Sequence, residues 1–367
     1  MTNKQHFLRI LVLSIILCLL VAYYAYQKIY TSPITVSIEK NFVITSNFDF
    51  IHEHWKEEKL SQLRTQESYA TITATTQFDY FLQLCHWVHQ QWEWSEPDPY
   101  PLSNALDILA DIRAKKTGGF CGQYAYVFAD VLKSIGFFDV RYIELWSPTG
   151  KSHFSVEVWS DQYEKWIMLD PDQALYYELA DSKIPANAYE IRESLLNPAF
   201  KVNERPVHAQ TPIAHHVTKD VYANFAVSLR SDLLRHTKPL TVQDRFDMFL
   251  FYQDQHTQTS AFQQVGDKIP YRHITTRKED IYYDCNRVRI EYSIDTSLPG
   301  VVLEFFTEQS MANFKGFIVS VDQGKTWKYS PYQYLLTGQH DEYEVWVRPV
   351  NMFDRHGITT KAYIRFD

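Results

Sequence analysis

The chain has 367 residues, enough for two or three folded units of roughly 100–200 residues each. Its 45% hydrophobic and 22% charged residues exclude a disordered chain, and its net charge of −8 lacks the basic excess of a nucleic-acid binder. With 11 glycines and four cysteines, neither a glycine-rich nucleotide loop, a repeat array nor a disulfide scaffold is expected.

The segment Ile10 to Tyr26 is apolar apart from Ser14, and no charge falls between Arg9 and Lys28. As a helix it would span about 25 Å at about 1.5 Å per residue, close to the thickness of a bilayer core. Lys4 and Arg9 precede it, which keeps the N-terminus cytoplasmic. A cleaved signal peptide is the competing reading. No A-x-A site follows the apolar run, and its end is rich in tyrosine, so an uncleaved signal anchor is favoured. On either reading, residues from about Thr31 face the periplasm or the exterior. Disulfides form there, and a Cys85–Cys285 bridge would leave Cys121 as the odd thiol.

Residues 31–74 form a lead-in with some strand character. Phe78, Phe81, Leu82, Cys85, Val88 and Trp92 then recur at helical spacing. A proline-punctuated loop follows at Pro97 to Pro101, and Ser103 or Asn104 caps a helix carrying Ala105, Ile108, Leu109 and Ile112. Gly118 and Gly119 break it. A third helix starts at Cys121; its wide apolar circumference marks a core helix, and Gly136 ends it. Three strand-like runs come next, Val140–Trp146, His153–Trp159 and Lys165–Asp170. Helices followed by antiparallel strands predict an α+β domain over residues 75–200. Residues 201–280 read as a helical or irregular connecting region with two amphipathic stretches, Asp220–Leu234 and Thr241–Tyr252, which form either an extension of the first domain or a linker layer. From Ile281 the alternation is all-β, predicting a β-sandwich over 281–367.

Cys121 follows Gly118-Gly119-Phe120 at a helix start. The free amides and dipole of that end stabilise a thiolate, and the glycines permit a sharp entry and close approach of substrate. A small buried core residue is the plain alternative. If the strands at 153–159 and 165–170 form a hairpin turning at Asp161-Gln162, His153 opposes Asp170, and a carboxylate can orient the imidazole that serves the thiol. Sliding the register by two opposes His153 to Asp172 instead. His86 and His89, three apart on one helix, have no second ligand pair nearby. His215 and His216 read as loop, and Glu157 as either a cleft wall or a salt-bridge partner.

The run Gly119-Phe120-Cys121-Gly122-Gln123, with His153-Phe154-Ser155-Val156-Glu157 and Trp166-Ile167-Met168-Leu169-Asp170-Pro171, resembles the transglutaminase-like branch of the papain-like cysteine enzymes. The resemblance implies a papain-like core with a Cys121–His153–Asp170 triad. It also implies a thioester intermediate and acyl transfer or amide hydrolysis on protein or peptide. The oxyanion donor of many members lies upstream of the cysteine helix, which makes Asn104 the candidate here. Trp87, Trp92 and Trp94 are expected to be core or cleft-wall residues. No calcium site can be located, so neither metal nor cofactor is inferred. The C-terminal sandwich looks loosely immunoglobulin-like. The expected protein is thus a membrane-anchored extracytoplasmic enzyme. The alternative is a non-catalytic binding module for cell-envelope peptide, polysaccharide or protein partners.

Overall fold

The computed structural model describes residues 14–23, 34–101, 104–236, 238, 240–258, 269–295, 300–307, 311–337 and 340–366. Of the proposed membrane segment, residues 14–23 are helical and exposed. Its remainder, with Lys4, Arg9 and the alternative cap Ser103, lies outside the described residues. Among the described residues no helix is long and apolar enough to cross a membrane.

Among the described residues after Ile34, four α-helices precede the main sheet: α1 (Glu58–Gln66), α2 (Gln77–His89), α3 (Ala105–Arg113) and α4 (Cys121–Ser134). Thr76 caps α2 by accepting from the Asp79 amide, and Asn104 caps α3 by accepting from the Asp107 amide. α4 is buried from Gly122 to Ser134 and packs against α1, α2 and α3. Its only cation, Lys133, is buried but paired: Nζ donates to Asp130 Oδ1 at 2.9 Å and to the Ser231 carbonyl at 2.7 Å. Asp130 Oδ2 in turn accepts from the Ala105 amide, tying the start of α3 to α4. Gly136, with φ +97°, closes the helix.

The expected α+β organisation holds, but the sheet is wider than three strands. Strands β2 (Val140–Trp146), β3 (Ser152–Ser160) and β4 (Lys165–Leu169) continue into β7 (Asn224–Ser228), β8 (Phe249–Tyr252) and β9 (His273–Thr275). The order is β4-β3-β2-β7-β8-β9, antiparallel except between β8 and β9. Residues 201–280 therefore extend the first domain rather than forming a helical connector. Asp220–Leu234 forms a short 3-10 turn and then β7, and in Thr241–Tyr252 a helix at Val242–Met248 runs straight into β8. Alternate residues of β2 serve two cores. Val140 and Tyr142 pack against the helices, while Ile143 and Leu145 pack against the opposite layer with Tyr177, Ile191 and Tyr222. That layer contains the ribbon of β5 (Leu175–Leu179) with β6 (Val202–Pro206), and α5 (Ala188–Leu196).

The C-terminal region forms two sheets around one apolar core: β10 (Arg289–Asp295), β11 (Gly300–Phe306) and β14 (Gln333–Thr337) in one, and β1 (Ile34–Ile38), β16 (Thr360–Phe366), β15 (Glu342–Asn351), β12 (Phe314–Ser320) and β13 (Lys328–Ser330), in that order, in the other. The strand β1 (Ile34–Ile38) comes from the lead-in and pairs with β16 (Thr360–Phe366). The sandwich thus closes with a strand from the other end of the chain. It contacts the first unit where Asn351 Nδ2 donates to the Gly136 carbonyl at 2.8 Å.

The suggested Cys85–Cys285 bridge is absent. Both thiols are free and buried, Cys85 in the helical core and Cys285 among Trp159, Trp166 and Tyr283. Each fills an apolar site in a different cluster.

Candidate active site

Cys121 occupies the first position of α4 and is half-buried. The Gln123 Oε1 accepts from the Phe120 amide at 3.2 Å, which satisfies one donor just before the helix and fixes its entry. The glycines ahead of it act differently from the sequence expectation. A β-carbon on Gly119 would lie 2.6 Å from Trp92 Nε1, and one on Gly118 would lie 2.5 Å from the Glu96 carbonyl oxygen. The space they leave is filled by the protein itself, not kept for a substrate.

His153 and Asp170 meet, though by another route than the assumed hairpin. The β3–β4 loop has four residues, Asp161 to Glu164, and pairs Ser160 with Lys165 and Val156 with Leu169. That shifts the register by two. Continued, it would set Ser155 opposite Asp170. β4 ends at Leu169, however, and Pro171 turns the chain. The Asp170 carboxylate then reaches diagonally to His153, with Nε2 to Oδ2 at 2.7 Å. Both residues are buried. Gln173 holds the carboxylate from the far side, its backbone amide donating to Oδ1 and its Nε2 to Oδ2, each at 3.1 Å.

Burial alone would push the His153 imidazole down. The Asp170 charge and hydrogen bond, with Cys121 adding to them, outweigh burial and hold its pKa well above the ordinary value. Burial likewise opposes the Asp170 charge, and His153 with Gln173 reverses that and lowers its pKa. Since Asp170 is the carboxylate, Nε2 carries the proton. The other ring nitrogen, Nδ1, is buried and makes no hydrogen bond among the described residues. A cavity of about 210 Å³ opens here, walled by Cys121, His153, Asp172, His216, Trp94 and Tyr100. A buried imidazole with one nitrogen fixed and the other free beside a thiol is the arrangement needed for nucleophilic catalysis.

Residues 65–171 match the family model of the transglutaminase-like superfamily. The chain carries a transglutaminase-like domain. No curated protein matches the chain. The matched span contains Cys121, His153 and Asp170 and ends just before Asp172.

The cleft of the transglutaminase-like domain also takes in Asp172, the partner offered by the hairpin register slid by two, and His216, which the sequence reads as loop. Asp172 Oδ2 lies 3.9 Å from His153 Nδ1, and its Oδ1 lies 3.2 Å from His216 Nδ1. Burial, reinforced by Asp170, raises the Asp172 carboxyl to about 6, with His153 and His216 restraining the rise. His216 also packs on Trp94, ring centres 5.3 Å apart. No local pattern marks His216, which sits in an irregular stretch and reaches the cleft only through folding.

Asn104 is not brought to the cysteine. Its Oδ1 accepts from the Asp107 amide and its Nδ2 donates to Asp107 Oδ2 at 2.7 Å, so both ends serve the α3 cap. Trp92 stacks on Tyr124 at 4.2 Å, and Trp87 Nε1 donates to Ser68 Oγ; of the three tryptophans it is Trp94 that lines the cavity. Glu157 is a salt-bridge partner. It is buried, accepts from Arg141 Nη2 at 2.6 Å and from the Ala188 amide at 2.8 Å.

His153, Asp170 and Asp172 place ligand atoms within 4.8 Å of one another. Asp170 already spends its oxygens on His153 and Gln173, which leaves one nitrogen and one carboxylate, short of the four ligands of a structural zinc site. Among the described residues no such grouping includes His86 or His89; His86 stacks on His208, and His89 Nδ1 lies 3.0 Å from the Pro171 carbonyl. A larger groove of about 670 Å³ runs past Arg230, Arg235 and Asp244. Arg230 is paired with Asp232 and Arg235 with Glu57, and the groove's lining includes no cysteine or serine.

Proposed function

We propose that the transglutaminase-like domain catalyses cysteine-dependent acyl transfer or amide hydrolysis on a protein or peptide. Cys121 is the nucleophile, His153 the proton shuttle and Asp170 the group that orients and charge-stabilises the imidazole. The observation that carries this reading is the buried 2.7 Å His153–Asp170 contact, with Nδ1 left free in a cavity shared with Cys121.

Cys121 Sγ attacks the carbonyl of a carboxamide, and the His153 imidazolium gives its proton to the leaving nitrogen. A thioester remains on the enzyme. Attack by water gives hydrolysis or deamidation; attack by an amine gives transamidation. The apolar run Ile10–Tyr26 supports placement at a membrane, with the bulk of the chain on the extracytoplasmic side. The C-terminal sandwich acts as an immunoglobulin-like spacer or binding unit for cell-envelope partners.

The test is the pH dependence of iodoacetamide labelling of Cys121 in the full-length chain, read by mass spectrometry beside His153→Ala. A nucleophilic Cys121 labels well below the ordinary thiol pKa of about 8.5 and loses that behaviour in the variant. Labelling negligible at neutral pH and indifferent to His153 would instead support a non-catalytic binding module.

A further inference from the structure

The proline-punctuated loop carries a hydroxyl to the head of α4. Tyr100 stands between Pro99 and Pro101, and the loop is pinned where Thr117 Oγ1 donates to the Pro99 carbonyl at 2.7 Å. The Tyr100 ring meets Phe120 edge-on, with centres 6.0 Å apart. Its outer face is open to solvent, but its hydroxyl rests over Gly122. A β-carbon on Gly122 would lie 3.1 Å from that oxygen. The residue after Cys121 is thus glycine where any side chain would crowd the Tyr100 hydroxyl.

Burial raises the Tyr100 pKa and the neighbouring Cys121 raises it further, while Gln123 and Arg245 offset part of the rise. The phenol is protonated at neutral pH and so has a proton to donate. Gln123 is fully buried, its Oε1 is held by the Phe120 amide, and its Nε2 completes no hydrogen bond. With its oxygen held, Gln123 can offer the phenol only an N–H, which leaves the phenol's own proton for a third group. Among the described residues no acceptor takes that proton, whereas a carbonyl oxygen under attack in the cavity beside Cys121 would.

We propose that Tyr100 is a catalytic residue, its hydroxyl donating with the Cys121 backbone amide to the oxyanion formed at the attacked carbonyl. This rests on the acyl-transfer reading above and supplies the side-chain donor that Asn104 does not. In the step, the Sγ–carbon bond forms and the carbonyl π pair moves onto oxygen, where the two donors hold it. The pair returns as the carbon–nitrogen bond breaks, the leaving nitrogen takes the proton of the His153 imidazolium, and the thioester remains. Stabilisation of this kind acts only where a tetrahedral oxyanion forms.

Two reagents separate Tyr100 from the nucleophile itself. Iodoacetamide alkylates a thiolate without an oxyanion, whereas p-nitrophenyl acetate acylates it through one. In the full-length chain, Tyr100→Phe should leave Cys121 alkylation within about twofold of the parent and slow acylation about 100-fold. Gly122→Ala, which displaces the hydroxyl and keeps it chemically intact, should give the same selective loss. Acylation slowed by less than about threefold in both variants would overturn the role of Tyr100 while leaving the nucleophile standing. Equal loss in both reactions would also overturn it, since the tyrosine would then act on the thiol or the fold. A parent chain that alkylates no faster than its His153→Ala variant would instead overturn the acyl-transfer reading, and this one with it.

Discussion

His153 Nε2 donates to Asp170 Oδ2 across 2.7 Å, and both residues are buried. The contact raises the imidazole pKa and lowers the carboxyl pKa, so each partner favours the other's charged form. The imidazole's contribution to stability is complete below about pH 6.5 and is lost as pH rises through its raised folded value. The carboxylate's contribution is complete above about pH 3.9 and is lost as pH falls through its lowered folded value. Asp170→Asn keeps the shape and removes the charge. Its melting temperature should fall furthest below the parent between about pH 4 and 6.5, and Cys121 alkylation at pH 7 should slow by about tenfold or more. An unchanged alkylation profile would remove Asp170 from its proposed role.

The thiols give a second check. Cys85 and Cys285 are free and buried, and burial raises both pKa values well above the ordinary thiol range. Alkylation of the native chain without reductant should therefore mark Cys121 and spare Cys85 and Cys285. Denaturation without reductant should make all four cysteines react. Two cysteines that label only after reduction would contradict the structure.

Arg141 and Glu157 test the sheet behind the site. The guanidinium is buried, bonded to Glu157 and stacked 4.0 Å from the Trp166 ring centre. Removing one partner strands a buried charge. Glu157→Ala should cost about 3–5 kcal/mol in urea unfolding, and Glu157→Gln less, because the amide oxygen still accepts. A loss below about 1 kcal/mol for the alanine variant would mean that water reaches the pair.

Asp161 couples the β3–β4 loop to the sandwich. Its carboxylate accepts from Gln77, Trp159 and Asn286, yet burial still raises its pKa to about 7. The folded state therefore disfavours the charge, and the resulting cost appears as pH rises from about 4 and is complete above about 7. Asp161→Asn removes it. The variant should melt a few degrees (about 3 °C) above the parent at pH 8 and level with it at pH 4. A gain independent of pH would assign the effect to packing.

Much of the domain was legible because its signals are local. The apolar stripe from Cys121 to Ile135 and the glycine at 136 delimit α4, and the alternation in 140–146 and 152–160 marks two strands now found side by side. The residues Cys121, His153 and Asp170 stand out because each lies beside a boundary of an element, where short-range chemistry is readable. The hairpin register was not legible, since the four-residue loop at Asp161–Glu164 gives no strong turn signal and a shift of two preserves the facing of every side chain.

Tertiary structure alone decided the rest. Periodicity reports that a strand has a face to bury, not which strand it will pair with. β1 joins β16 across almost the whole chain, and β7, β8 and β9 extend the main sheet from a stretch that reads as a connector. The same holds for the cleft. Asp172 meets His216 across 44 residues, and Tyr100 settles over Gly122 from a loop of prolines. Such contacts are selected by how the cores close around them. The sequence by itself therefore picked out Cys121, His153 and Asp170 as candidates, while the folded chain decided what surrounds them.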